Sequence, residues 1–442
     1  MPAHSGKKEV LSFDRRRALQ ATGVGLATLA LPMQAARAQQ ATPAGGVIPV
    51  SGDEVPELTA FDDVFAEQMS IWNIPGGQLA IGRDDRLVYN RGFGYASIED
   101  DELVQPEHRF RIASTTKPVT TVAILKLVDD GLLTLDTPVF PLLAIEPISD
   151  APYDPRLDLI TVEHLLVHSG GWNSAESGDP QYTPWPQLAS HITGAESPAS
   201  AETIIRYMLS KPLDFDPGTQ SAYSNFGFNV LGRVIEHVSG KSFEDYLIEN
   251  VATPAGITSM ALGGTLLAER LPGEVRYYGV ADETMVPSVY PAGGFVPDGY
   301  GGYFMPALDA HGGLVSSASD LVRFALAVDG TLAPALLTAE TVEVMESTVR
   351  PPSAYAGAGN VEEAHGLGWN MRATDGAYEW SHAGALTGST ASWLVRQPDG
   401  TTIALVVNTL PTDYGTFFGD MTTALQGAAA AISTWPGIDL WT

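Results

Sequence analysis

The sequence predicts an α/β fold of the mixed, α+β kind. An antiparallel sheet flanked by helices is built from both ends of the chain, and a mainly helical domain is inserted. Three observations predict this. Strand patterns fall near both ends, at 77–90 and 391–408. Apolar residues between them recur at the helical period of 3.6. The chain has 442 residues, 44% of them hydrophobic, enough for one large domain or two interleaved ones with an ample core.

The elements follow in chain order. Residues 1–38 carry six basic side chains against two acidic ones, with Arg15, Arg16 and Arg17 adjacent. A mild apolar run at 21–31 and the small-x-small pattern Ala36-Arg37-Ala38 follow. This order reads as an export signal cleaved after Ala38, leaving the protein periplasmic or secreted. The adjacent arginines are similar to a twin-arginine (Tat) signal, with Ala18 where that pattern carries a large apolar residue. The run at 21–31 is too short to span a bilayer, and no other uncharged apolar stretch reaches the ~18 residues that a span needs. Residues 39–53 read as a flexible lead-in, 54–112 and 311–442 as the sheet domain, and 113–310 as the helical domain with active-site loops.

The runs GQLAIG (77–82) and RLVYN (86–90), joined by Arg83-Asp84-Asp85, read as a β-hairpin. A helix is expected to start close to Ser114, since Pro118 is tolerated in a first turn, and to stop at Gly131. Further helices are expected over 161–167, 201–209, 225–238 and 243–250. Residues 173–200, rich in Ser, Pro, Gly and Asp, read as a long loop. Residues 276–310 hold Tyr277, Tyr278, Tyr290, Phe295, Tyr300, Tyr303 and Phe304. Such a stretch forms a lid, a binding wall or a surface loop packed on itself. The segments 391–396 and 402–408 flank the turn Gln397-Pro398-Asp399-Gly400, and 417–432 reads as a closing helix.

Composition narrows the function. With no cysteine, disulfides, thiolate metal sites, a Cys nucleophile and a lipoprotein anchor are excluded. A net charge of −28 argues against nucleic acid or an anionic membrane as partner. Gly240-Lys241-Ser242 fails as a P-loop because Ile235 stands where glycine is required. His164 and His168 lack the intervening Glu of a zinc-protease helix and read as structural, so no metal is expected. No G-x-S-x-G elbow is present.

Ser114-Thr115-Thr116-Lys117 is an S-x-x-K, and residues three apart on a helix share a face. A serine becomes a nucleophile when a base takes its proton, and a buried, partly neutral lysine can be that base. After residue 38 the chain has four lysines, so a chance match arises about once in four such chains. Tyr223-Ser224-Asn225 adds a proton relay and an amide that can hold Lys117 or a substrate carbonyl. His382-Ala383-Gly384 has the form of an edge-strand motif, where Gly384 would admit a substrate's backbone. The N–H groups of Ser114 and Ala385 could form an oxyanion hole.

S-x-x-K opening a helix, then Y-x-N, then a glycine-bearing strand motif, resembles the serine β-lactamase and penicillin-binding protein superfamily. Its class C-like branch, with family VIII esterases and D-aminopeptidases, is the nearest in pattern. FRIASTTKP (110–118), HLLVHSGGW (164–172), YSNFGFNVLGRVIE (223–236), HGGLVSSASDLVRF (311–324), GLGW (366–369) and SHAGALTGS (381–389) agree with it. The similarity covers roughly residues 55–430. It implies a β-lactamase/transpeptidase-like fold and acyl transfer without a cofactor. It further implies that Ser114 is the acylated nucleophile and that Lys117 and Tyr223 share the base and relay work. Asn225 would position Lys117 and substrate, His382 and Gly384 would border the pocket, and Ser114 and Ala385 would supply the oxyanion N–H groups.

The third motif departs from the Lys-Thr-Gly usual in class C β-lactamases. His382, with an ordinary pKa of about 6.5, is largely neutral at pH 7. A substrate carboxylate then loses a charge-assisted partner. The expectation is a carboxylesterase acting on small esters. Next in order are a D-amino-acid peptidase or amidase, and then a β-lactamase or DD-carboxypeptidase. A catalytically silent binder of cell-wall peptides is the alternative outside catalysis, and the intact Ser114, Lys117 and Tyr223 argue against it.

Overall fold

The structure is a computed structural model that describes residues 47–279, 285–348, 364–374 and 377–441. The expected export signal and most of the lead-in lie outside the described residues. Within the lead-in, Val50–Ser51 pairs with Phe93 and Gly92, so that this part is an edge strand.

Among the described residues the main sheet has nine strands, all paired antiparallel. Its centre joins the two ends of the chain. Gly76–Arg83 from the N-terminal side lies beside Thr401–Val407 from the C-terminal side, with Leu79 opposite Leu405. Arg86–Ser97 continues the sheet on one side. Thr390–Arg396, Ala377–Leu386, Asn370–Thr374 and Ala364–His365 continue it on the other. The fold is thus the β-lactamase/transpeptidase-like arrangement of antiparallel sheet and helices.

Both faces of the central strands are covered. Leu79, Ile81, Ile403, Leu405 and Val407 pack with Phe61, Phe65 and Met69 of the helix Thr59–Ile71 and with Phe417, Met421 and Leu425 of the helix Tyr414–Ala430. Ala80, Ala404 and Val406 belong to the other core, with Leu321, Val322 and Ala325 of the helix Ala318–Val328. Two buried faces explain why 402–407 is almost continuously apolar rather than alternating. The helix sits close because the facing strand residues are small: a Cβ on Gly82 would lie 2.7 Å from Val322 Cγ1.

The helix Thr116–Asp129 is buried along nearly its whole length, Lys117 included. It is a central helix, apolar on every side, and it packs against Asn225–Ser239 and Asp309–Gly312. The expected helices occur at Val162–Leu166, Ala201–Met208, Asn225–Ser239, Phe243–Leu247 and Tyr414–Ala430. Serine hydroxyls of Ser200, Ser224 and Ser242 cap three of them by accepting backbone N–H groups.

Two segments are more regular than expected. Residues 173–200 contain the helices Ser174–Ser177 and Trp185–Thr193. The second begins at prolines, Pro184 at its cap and Pro186 inside, where a missing N–H costs nothing. Residues 276–310 contain the paired strands Met285–Pro287 and Phe295–Pro297 and the short helices Met305–Ala307 and Asp309–Gly312. Sheet and helical region belong to one unit, Gln40–Thr442. No helix among the described residues is long and apolar enough to cross a membrane.

Candidate active site

Ser114 sits in a tight 3-10 turn, Ala113–Thr115, that runs directly into the helix Thr116–Asp129. Ala113 has a left-handed φ of +45°, a strained backbone for a residue with a Cβ. The turn is tied to the sheet from below. Ser392 Oγ donates to Ile112 O at 2.6 Å and lies 2.8 Å from Thr115 Oγ1.

One helical turn on, Lys117 is fully buried and its Nζ lies 3.1 Å from Ser114 Oγ. The same nitrogen is 2.7 Å from Asn225 Oδ1 and 3.0 Å from the backbone carbonyl of His311. It stands over the Tyr223 ring, 4.6 Å from its centroid. Burial drives the Lys117 pKa well below the usual lysine range, against the pull of Asp179. Ser114 and Asn225 therefore both meet the one nitrogen of Lys117, with Tyr223 beside it.

Tyr223 is fixed by its place just before the helix cap Ser224. Its ring lies 4.6 Å from His168 and 6.4 Å from His382, centroid to centroid. His168 accepts the Ser224 N–H through Nδ1 at 3.1 Å, and its ring is 4.9 Å from that of His365. His365 Nδ1 in turn lies 2.7 Å from Ser221 Oγ. Burial lowers the pKa of His168, aided by His365, Lys117 and His382, and burial takes His365 to about 4. A bank of neutral imidazoles thus backs Tyr223.

His382 lies on the strand Ala377–Leu386, whose ladder with Asn370–Thr374 ends at Ser381. From His382 to Leu386 the strand pairs with Thr390–Leu394, and among the described residues no strand pairs with its other edge. His382 Nδ1 is 2.7 Å from the carbonyl of Ala383. A carbonyl only accepts, so Nδ1 carries the proton and Nε2 the lone pair. Burial, then the charge of Lys117, pushes the His382 pKa down to about 3. The residue that stands in place of a lysine is a neutral base.

The place a Cβ on Gly384 would take is filled from within the protein. A Cβ there would lie 2.2 Å from Ile112 O, 2.3 Å from Ser392 Oγ and 3.1 Å from Ser114 N. The missing side chain lets the strand press against the serine turn. Ala385 follows, its side chain in the core on the opposite face.

The surrounding wall comes from the aromatic segment. Tyr303, Met305 and Leu308 pack with Ala113 and Leu386, and Tyr182 joins them from the segment 173–200. Arg111, fully buried two residues before Ala113, holds this wall. Its guanidinium donates to Gly299 O (2.6 Å), Gly264 O (2.8 Å), Tyr303 Oη (3.0 Å) and Ser389 Oγ (3.1 Å). Sequence reasoning did not single out Arg111, Asp179, Ser392 or the His311 carbonyl. His168 it read as structural, and His168 does accept the backbone N–H of Ser224.

Among the described residues no group of three or more His, Asp or Glu side chains is placed to hold a metal ion. His164 serves in a capping box, with Nδ1 accepting from Thr161 N while Thr161 Oγ1 accepts from His164 N.

With this geometry, the relatives of the chain become informative. The model of the Beta-lactamase family matches residues 61–425. The chain belongs to the beta-lactamase family. It is a serine hydrolase of that family. Esterase EstB of Burkholderia gladioli is 28% identical over 401 residues, covering 84% of this chain and 94% of that one. A putative D-alanyl-D-alanine carboxypeptidase of Escherichia coli O157:H7 is 27% identical, covering 73% and 76%. A probable fimbrial assembly protein, FimD serogroup H1 of Dichelobacter nodosus, is 29% identical over 60% of this chain, which spans only 59% of that relative's length. Among solved structures, the D-amino acid amidase of Ochrobactrum anthropi SV3 superposes with a TM-score of 0.62 at 22% identity, over 86% of this chain and 99% of that one. At that identity the likeness is one of fold.

Proposed function

We propose that this beta-lactamase-family hydrolase is a carboxylesterase that works through an acyl-enzyme on Ser114. The observation that carries the reading is the short contact of a buried, pKa-lowered Lys117 with Ser114, beside a His382 that is neutral. Neutral Lys117 takes the Ser114 proton as Oγ attacks the ester carbonyl. The oxyanion is held by the N–H groups of Ser114 and Ala385. Collapse of the tetrahedral intermediate breaks the bond to the alkoxide, which takes the proton back through Lys117 and Tyr223. Water then attacks the acyl-enzyme along the same path, with Tyr223 and Lys117 accepting its proton, and frees Ser114 and the acid.

A neutral His382 favours esters. β-Lactams and D-Ala-D-Ala peptides present a carboxylate that a cation at this position would pair with, and His382 offers only a lone pair. A D-amino-acid peptidase or amidase is the second reading, supported by the half-buried Asp179, an anion next to Asn225. β-Lactamase or DD-carboxypeptidase activity comes third. The contact of Lys117 with Ser114 argues against a silent cell-wall-peptide binder. We also propose that residues 1–38 direct export, with cleavage after Ala38.

The test is turnover of p-nitrophenyl butyrate, D-alanine p-nitroanilide and a chromogenic cephalosporin by wild type and Ser114→Ala. The proposal expects ester turnover to dominate and to fall at least ~100-fold in the variant. Turnover of the cephalosporin alone would overturn it.

A further inference from the structure

A neutral lysine amine has two N–H groups and one lone pair, set tetrahedrally. Lys117 Nζ has three polar neighbours: Asn225 Oδ1 at 2.7 Å, His311 O at 3.0 Å and Ser114 Oγ at 3.1 Å. The first two can only accept, so they take the two N–H groups. The lone pair is left for the proton of Ser114. This division of labour depends on which end of the Asn225 amide faces Lys117. The His311 carbonyl cannot change its role, but an amide can, since its two ends are nearly the same size. Turned over, Asn225 would offer an NH2 group, and the amine's lone pair would be drawn to it and away from Ser114.

Packing alone does not choose between the two ends. A hydrogen bond on the far side does: Asn225 Nδ2 donates to Asp179 Oδ2 at 2.7 Å. A carboxylate accepts and cannot donate, so it would repel the amide oxygen of the turned form. Asp179 is itself held, because its other oxygen accepts the Gln181 N–H at 3.0 Å, an Asx turn before Pro180 and Gln181. Trp172, Met208 and Phe226 line the small cavity that Asp179 and Asn225 border, so the bond runs beside apolar side chains.

We infer that Asp179 is a positioning residue for the base, fixing through Asn225 the end of the amide that faces Lys117. The inference rests on the acyl-transfer reading, in which Lys117 takes the proton of Ser114. It assigns a role to a residue 46 positions from Asn225 in the chain, brought to it by the fold of the segment 173–200.

A double-mutant cycle on the full chain tests it, with p-nitrophenyl butyrate as substrate. Asp179→Ala and Asn225→Ala are each expected to lower kcat about tenfold or more, with KM within about threefold of wild type. Because one acts through the other, the double variant is expected within about threefold of the worse single one. A kcat for Asp179→Ala within about twofold of wild type, or losses that multiply in the double variant, would overturn the inference. If Asp179→Ala shows no cooperative melt, Asp179→Asn carries the same cycle. Its single acceptor oxygen must serve two donors, so it too should lower kcat and show no further loss on top of Asn225→Ala. Wild type that neither turns over ester nor labels at Ser114 would overturn the reading together with the inference. Active wild type with a silent Asp179→Ala would overturn the inference alone.

Discussion

At the scale of single residues, the site works by denying charge. Lys117 and His382 are both deep in the protein, and burial holds each toward its neutral form. His365 and His168 follow the same rule. This has a measurable result in acid. His382 and His365 titrate near 3 and 4 in the folded protein, against about 6.5 in an unfolded chain. Below about pH 6.5 the unfolded chain therefore binds more protons. Stability rises with pH across the window from about 3 to 6.5 and is lost as the pH falls through it. Above about 6.5 these two groups contribute no slope. Denaturant titrations at pH 4.5, 5.5 and 7 should show this fall, and His365→Gln should flatten part of it. A stability that is level over that range would contradict the buried neutral imidazoles.

At the scale of elements, the serine turn is gripped from two sides. The strand carrying Gly384 presses on it, and Ser392 on the neighbouring strand bonds to Ile112 O. Arg111 extends the grip to the aromatic wall. Its guanidinium and the Glu274 carboxylate are both fully buried, 3.9 Å apart. Arg111→Ala would strand that carboxylate and four acceptors. The expected cost is about 3–5 kcal/mol, read as a lower thermal midpoint, with a raised KM as Tyr303 loosens. An unchanged midpoint would show that the wall stands without it.

Elements also show what could be read in advance. Thr390–Arg396 and Thr401–Val407 agree with the reading to within a residue or so, because a strand buried on both faces is a short apolar run between turn residues. The helix Trp185–Thr193 was hidden by its opening prolines. The contacts that shape the site escape any local pattern. Asn225 meets Asp179 across 46 residues, and Ser224 meets His168 across 56. Their spacing has no period, since loops rather than helices set it. The S-x-x-K was legible because its partners are three apart across one helical turn, Ser114 in the 3-10 turn Ala113–Thr115 and Lys117 in the helix it runs into.

At the scale of the whole molecule, the sheet explains why the site is assembled from distant segments. Gly76–Arg83 and Thr401–Val407 close the sheet between the two ends of the chain. The helical region between them then carries Ser114, Lys117 and Asn225 to the strand that bears His382, at the part beyond its ladder with Asn370–Thr374. The central claim is that this assembly makes Ser114 a nucleophile with Lys117 as its base. Its most direct measurement is a fluorophosphonate reaction on folded protein, followed by mass spectrometry of the labelled peptide. The account predicts one adduct, on Ser114, formed at least ~100-fold more slowly in Lys117→Ala. No adduct, an adduct on another residue, or an undiminished rate in Lys117→Ala would contradict it.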